Sequence, residues 1–185
     1  AAVLNEITGA DIVEGDLWLA LRLRSAADAA AEANGSLSDL TLDFDQHFSK
    51  QDRASLEWIR AKETTVAIHV RRGDFAIHDG NLLLTTDYYN RAIARAEAVL
   101  AKPSFLVISD DIGWCKANLR STREFHFVDH HTDQDGYKDM FLASQCQHFI
   151  LSNESTFSHQ IVQLSLFRDT AMVITSGQDD LVKNQ

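Results

Sequence analysis

The sequence predicts an α/β fold, a doubly wound parallel sheet preceded by a mostly helical N-terminal segment. Three observations lead there. From Thr64 onward, short apolar runs alternate with amphipathic helical stretches, the pattern of parallel strands joined by crossover helices. The runs at 65–70 and 104–109 are apolar or β-rich without interruption, as in strands covered on both faces. Hydrophobic residues make up 45% and charged residues 24% of 185 residues, which suits a globular chain long enough to bury a substantial core.

The elements follow in order. Leu17, Leu19, Ala20, Leu21 and Leu23, with the alanine-rich stretch 26–33, predict a helix that Asn34-Gly35 would stop. Residues 41–48 read equally as a short strand or a loop. A second helix is expected from about Asp52 through Leu56, Trp58 and Ile59, with Ser49 as its cap. These elements form an N-terminal segment, 1–60, and the alternating β and α pattern fills 61–185. There, strand 65–70 is followed by helix 87–100, with Thr86 as N-cap and Tyr88, Ile93, Ala96 and Leu100 on one face. Pro103 stands where that helix gives way to strand 104–109. Helix 111–119, strand 125–128, helix 137–146, strand 149–151, helix 155–167 and strand 171–174 complete the series.

Composition excludes several functions. The formal charge is −10, which argues against a general nucleic-acid binder, since phosphate neutralisation supplies most of such affinity. A local basic pocket for a small phosphate ligand stays open. No apolar run approaches the roughly 18 residues of a membrane helix, and the charged and polar residues Asn5, Glu6 and Asp11 break up any secretory leader. Cys115 and Cys146 lack zinc spacing and are read as free thiols in a reducing compartment.

In doubly wound sheets ligands bind beyond the carboxyl ends of the strands. The first strand exits into His69-Val70-Arg71-Arg72-Gly73-Asp74. Alternation places His69 and Arg71 on one side. Two guanidinium groups at the rim of an anionic protein make a natural diphosphate seat. Gly73 permits a sharp backbone departure, and Asp74 could hold an arginine in place. Solvated surface ion pairs are the bland alternative. Arg72-Gly73-Asp74 also spells an adhesion tripeptide, a match too short to weigh.

The second strand exits into Ser109-Asp110-Asp111. Asp111 is explained as a helix cap and dipole partner. One Asp110 carboxylate could accept both the N1–H and the N2 amine of guanine. After strand 149–151, Ser155, Thr156, Phe157 and Ser158 open a helix. Their N–H and O–H groups suit an anion, or simply cap the helix. His130-His131 lies near Asp129, Asp133 and Asp135, but neighbouring histidines on a strand point apart, so no metal site is expected. Trp58 and Trp114 are read as packing residues, and Cys115 lacks the surroundings of a nucleophile.

The strand exits resemble one family. His69-Val70-Arg71-Arg72-Gly73-Asp74-Phe75 is similar to the HxRRGD(Y/F) motif of the α-1,2-fucosyltransferases of glycosyltransferase family 11. The resemblance continues through Asp87-Tyr88-Tyr89, the run from Phe105 to Lys116, the run from Lys138 to Cys146, and Ser155-Thr156-Phe157-Ser158. It implies a Rossmann-like domain, the C-terminal donor-binding half of a GT-B-like glycosyltransferase. Residues 1–60 would then be a reduced or truncated acceptor-side half, and 61–185 the GDP-fucose-binding domain.

The implied reaction is inverting, metal-independent transfer of fucose from GDP-fucose to the 2-hydroxyl of a galactoside in a surface glycan. Arg71 would hold the β-phosphate and stabilise the leaving GDP, with Arg72 in support. His69 and Asp110 would contact the guanosine, and Thr156, Phe157 and Ser158 would line the diphosphate. No metal or other cofactor is implied, and no nucleic-acid partner. The expected location is cytoplasmic, peripheral to the inner membrane in a bacterium. The run His159-Gln160-Ile161-Val162-Gln163 departs from the family pattern toward related α-1,6 enzymes, which leaves the linkage open. A non-catalytic nucleotide-sugar-binding module and a plain structural domain remain alternatives.

Overall fold

The computed structural model describes residues 48–73, 83–152, 155–165 and 170–177. The helix expected around 17–33 and the undecided stretch 41–47 lie outside these residues, as does Asp74. Chain contacts group Ser49–Gln185 into one compact unit, apart from Ala1–Phe48.

Five parallel strands form the sheet in the order β3-β2-β1-β4-β5. β1 (Thr64–Val70) is central, pairing with β2 (Pro103–Ser109) on one side and β4 (His148–Leu151) on the other. With neighbours at both edges and helices on both faces, Val66, Ala67, Ile68 and Val70 are fully buried, so the strand carries no polar alternation. β3 (Phe125–Phe127) and β5 (Val173–Thr175) are short edge strands. Their partial exposure follows from having one neighbour each.

α1 (Lys50–Ala61) opens with a capping box: Ser49 Oγ accepts the Asp52 N–H at 3.1 Å, and Asp52 Oδ2 accepts the Ser49 N–H at 2.6 Å. Its Leu56 and Ile59 face inward. Trp58 Nε1–H donates to Glu124 at 2.9 Å, and Ser55 Oγ lies 2.9 Å from His126 Nε2. The helix assigned by sequence to the N-terminal segment therefore packs with the sheet.

α2 (Thr86–Val99) begins one residue later than its cap, which is Thr85 rather than Thr86. Thr85 has extended backbone, and its Oγ1 accepts the Tyr88 N–H at 3.1 Å. Thr86 is already helical. Replacing Thr85 with Ala is expected to cost about 1 kcal/mol, read as a shift in urea midpoint, whereas Thr86→Ala leaves the midpoint nearly unchanged.

Lys102, at φ 49°, turns the chain into Pro103, the first residue of β2, a position where the missing N–H is tolerated. α3 (Ile112–Asn118) is capped by Asp111, whose Oδ1 accepts the Trp114 N–H at 2.9 Å. A 3-10 turn, Asp133–Asp135, leads into α4 (Gly136–Ser144). α5 (Thr156–Leu164) ends sooner than the sequence suggests, because Ser165 is extended. Among the described residues no helix is long and apolar enough to cross a membrane.

The chain runs outward from β1 through β2 to β3, then returns to the far side of β1 for β4 and β5. That reversal creates a crevice between the carboxyl ends of β1 and β4, the place where open α/β sheets take ligands.

Candidate functional site

Two chain segments meet at this crevice: the β1 exit, His69 to Gly73, and the N-terminal turn of α5. His69 is buried, and its Nδ1 lies 2.7 Å from Ser158 Oγ in α5. The ring also meets Phe157 at 4.7 Å between centroids. Burial pushes the His69 pKa down to about 3, with the Arg71 charge adding to the effect, so the imidazole is neutral. Ser158 is fully buried, whereas Thr156 is exposed and Phe157 half-buried.

Ser155 occupies the N-cap position of α5 but its side chain makes no capping bond. The ordinary explanation for a serine at a helix start therefore does not apply here. At the end of β4, Ser152 Oγ is buried with no hydrogen-bond partner. It is a polar atom that the sequence did not single out.

Arg71 and Arg72 leave β1 in different surroundings. Arg71 Nη1 stands 3.1 Å from Asp110 Oδ2 and is partly exposed. Arg72 is packed down, its guanidinium 4.1 Å from the centroid of Trp114 and its Nε 3.5 Å from Asp111 Oδ2. Cation–π contact holds it as a support for the loop. Trp114, expected as a packing residue, is thus also the seat of an arginine.

Asp110 has a structural task as well. Its Oδ1 accepts the Arg72 N–H at 2.8 Å, and its Oδ2 accepts the Gly73 N–H at 2.9 Å. A carboxylate offers about four lone-pair positions. Two backbone bonds and the Arg71 contact leave too few for both guanine donors while Arg71 stays where it is. Gly73 is required here by close approach: a Cβ on it would stand 2.9 Å from Asp110 Oδ2.

Further residues complete the picture. Tyr88, in α2, donates its hydroxyl to the Leu151 carbonyl at 2.5 Å and fixes the end of β4. Side-chain type alone could not reveal that contact across the fold. Cys115 and Cys146 are free and buried, their pKa values pushed up by burial to about 11 and about 12. Both are inert thiols. The two adjacent histidines do not point apart: His130 Nε2 and His131 Nε2 both reach Asp52 Oδ1, because they follow β3 rather than lie within it. Of the acids named beside them, Asp129 pairs with Lys116 and Asp135 with Lys138.

Arginines and a neutral histidine at the switch point, facing a helix that opens with hydroxyl residues, fit an anionic ligand. The chain is similar to several known proteins. The O-antigen biosynthesis glycosyltransferase WbnK of Escherichia coli is 32% identical over 113 residues, covering 59% of this chain and 37% of that protein. Galactoside 2-alpha-L-fucosyltransferase Sec1 of Mus musculus is 30% identical over 95 residues, covering 48% and 26% respectively. The chain spans about a third of the length of the curated relatives it matches.

Among solved structures, POFUT1 in complex with GDP-fucose aligns with a TM-score of 0.47 and 18% identity, covering 70% of this chain and 46% of that one. NodZ alpha-1,6-fucosyltransferase soaked with GDP-fucose gives 0.46 and 16%, covering 63% and 42%. The family model of glycosyl transferase family 11 matches residues 33–184, a stretch that takes in every strand of the sheet and both sides of the crevice. The chain belongs to glycosyl transferase family 11.

Proposed function

We propose that this chain carries the GDP-fucose site of an enzyme that transfers fucose, with inversion and without a metal, to the 2-hydroxyl of a galactoside. The observation that carries the reading is the pair of arginines at the β1 exit, held by Asp110 and Trp114 opposite the start of α5. Membership of family 11 and the name of the mouse relative, a galactoside 2-alpha-L-fucosyltransferase, support fucose as the transferred sugar and the 2-hydroxyl as its acceptor.

In this mechanism the acceptor oxygen attacks the anomeric carbon from the face opposite GDP. Its bond forms as the fucosyl C–O bond breaks, GDP leaves with the electron pair, and the acceptor proton is released. Negative charge grows on the β-phosphate. Arg71, partly exposed at the crevice, turns toward the β-phosphate as the donor binds, so that its charge is already in place where the negative charge develops. Moving Arg71 off Asp110 frees a carboxylate lone pair for the guanine edge. Donor binding and the release of Arg71 would then occur together.

His69 stays neutral and is held by Ser158, so it can offer a ring nitrogen to the nucleoside without adding charge. Arg72 keeps the loop in place rather than touching the phosphate. The N-terminal turn of α5 supplies backbone dipole toward the diphosphate.

Calorimetric titration of GDP into the metal-free full chain tests this. Micromolar binding is expected in the native chain, weakened tenfold to a hundredfold in Arg71→Ala, as for loss of a charge-assisted hydrogen bond. Transfer from GDP-fucose to a galactoside follows as the second assay. Absence of GDP binding by the folded native chain, or equal binding by Arg71→Ala, overturns the reading.

A further inference from the structure

A second cluster lies where α1, the segment after β3 and α4 come together. Asp52, in the first turn of α1, is fully buried. Its Oδ1 is approached by His130 Nε2 at 2.7 Å and by His131 Nε2 at 2.5 Å. The two imidazole side chains are only 12% and 5% exposed. On its other side, His131 Nδ1 stands 2.7 Å from Asp139 Oδ1 in α4. We propose that Asp52, His130 and His131 form a binding site for a divalent cation of the zinc class, with Asp139 orienting His131 from behind.

Two features support the assignment. The donor set, two imidazole nitrogens and a carboxylate oxygen, suits a borderline metal such as zinc, and three protein ligands leave a fourth position for water. The three ligand atoms already lie within 4.8 Å of one another. Zinc bonds of about 2.0–2.2 Å need ligand atoms somewhat over 3 Å apart, so Asp52 Oδ1, at 2.7 and 2.5 Å from the two nitrogens, has to draw back from each by less than about 1 Å.

The second feature is the geometry behind His131. A metal-bound imidazole usually gives its other N–H to a carboxylate, which fixes its tautomer and orientation, and Asp139 Oδ1 stands 2.7 Å from His131 Nδ1.

The surrounding charges are compatible. Asp52 Oδ2 is taken by the Ser49 N–H, which leaves Oδ1 for the histidines. Lys138 is the nearby cation, 3.9 Å from Asp52 Oδ2 and held at 2.7 Å by Asp135. The ligands come from α1 and from the segment after β3, so a bound ion ties these parts together. This role is separate from the transfer chemistry proposed at the crevice.

Zinc chloride titrated into the tag-free, EDTA-stripped full chain tests the site, with cobalt absorption as a spectroscopic check of coordination. One equivalent is expected to bind and to raise the melting temperature. Affinity should fall at least tenfold in both His130→Gln and His131→Gln, and about tenfold to a hundredfold in Asp139→Asn. The glutamines keep polar atoms in place, and circular dichroism verifies their folding. No stoichiometric binding by the native chain overturns the proposal, a result the variants do not enter. Binding unchanged in either histidine variant overturns it too, leaving a hydrogen-bonded histidine pair.

Discussion

Acidification from pH 6.5 to 4.5 is expected to destabilise the sheet unit by roughly 2 kcal/mol through His69 alone. The imidazole is buried at the β1 exit, and burial first, then Arg71, lowers its pKa from 6.5 to about 3. In that window the unfolded chain takes up a proton that the folded chain refuses, and the slope steepens toward about 1.4 kcal/mol per pH unit near pH 5. Above pH 6.5 both states hold the ring neutral, and His69 adds no slope. The contribution is therefore fully present above the unfolded value and lost as pH falls toward 3.

Burial also lowers the pKa of His126 and of His148, which act in the same direction. Urea unfolding of the native chain and of His69→Asn at pH 7.5 and 4.5 isolates one residue from the others. Asn still reaches Ser158, and it does not titrate. An equal acid loss in both proteins would show that His69 is not its source.

Asp110→Ala is expected to be the most damaging substitution at the crevice, costing about 3 kcal/mol. It removes the acceptor of two backbone N–H groups, on Arg72 and Gly73, and the ionic partner of Arg71. Hydrogen bonds to a charged group contribute about 1.5–3 kcal/mol each, with solvent compensating part of the loss in a partly exposed loop. GDP affinity should fall further than in Arg71→Ala, because the whole β1 exit loses its anchor. Equilibrium unfolding and GDP titration measure the two effects. A stability change within about 0.5 kcal/mol, the ordinary range for surface substitutions, would mean that the loop holds its shape without the carboxylate.

Much of this architecture can be read from the chain, and the reason is periodicity. β1 and β2 are buried at nearly every position because both faces are covered, so their apolar runs mark them directly. Ser49 and Asp111 announce helix starts by side-chain chemistry that acts within three residues. Thr85 and Thr86 show where local reading loses resolution: both can cap, and only backbone geometry chooses. Strand exits were legible as a place for arginines, since sheet topology dictates where ligands go.

Contacts across the fold were not legible. The two backbone bonds to Asp110, the Trp114 face under Arg72 and the Tyr88 bond to Leu151 link residues tens of positions apart. The histidine pair has a related reason: side chains alternate within a strand, and His130 and His131 lie past the end of β3.

The position of β1 at the middle of the sheet has a kinetic consequence. Its first partner, β2, lies just one crossover away along the chain, whereas β4 follows only after three helices among the described residues. Loop-closure entropy favours the nearer pairing, and long-range strand pairing slows folding. The β1–β2 pair is therefore expected to nucleate the sheet, with β4 adding later. His69 and Ser158 are separated by 89 residues, so the nucleotide crevice is completed in the late phase. During synthesis, a nascent chain released before α5 emerges would hold its arginines in place with nothing opposite them.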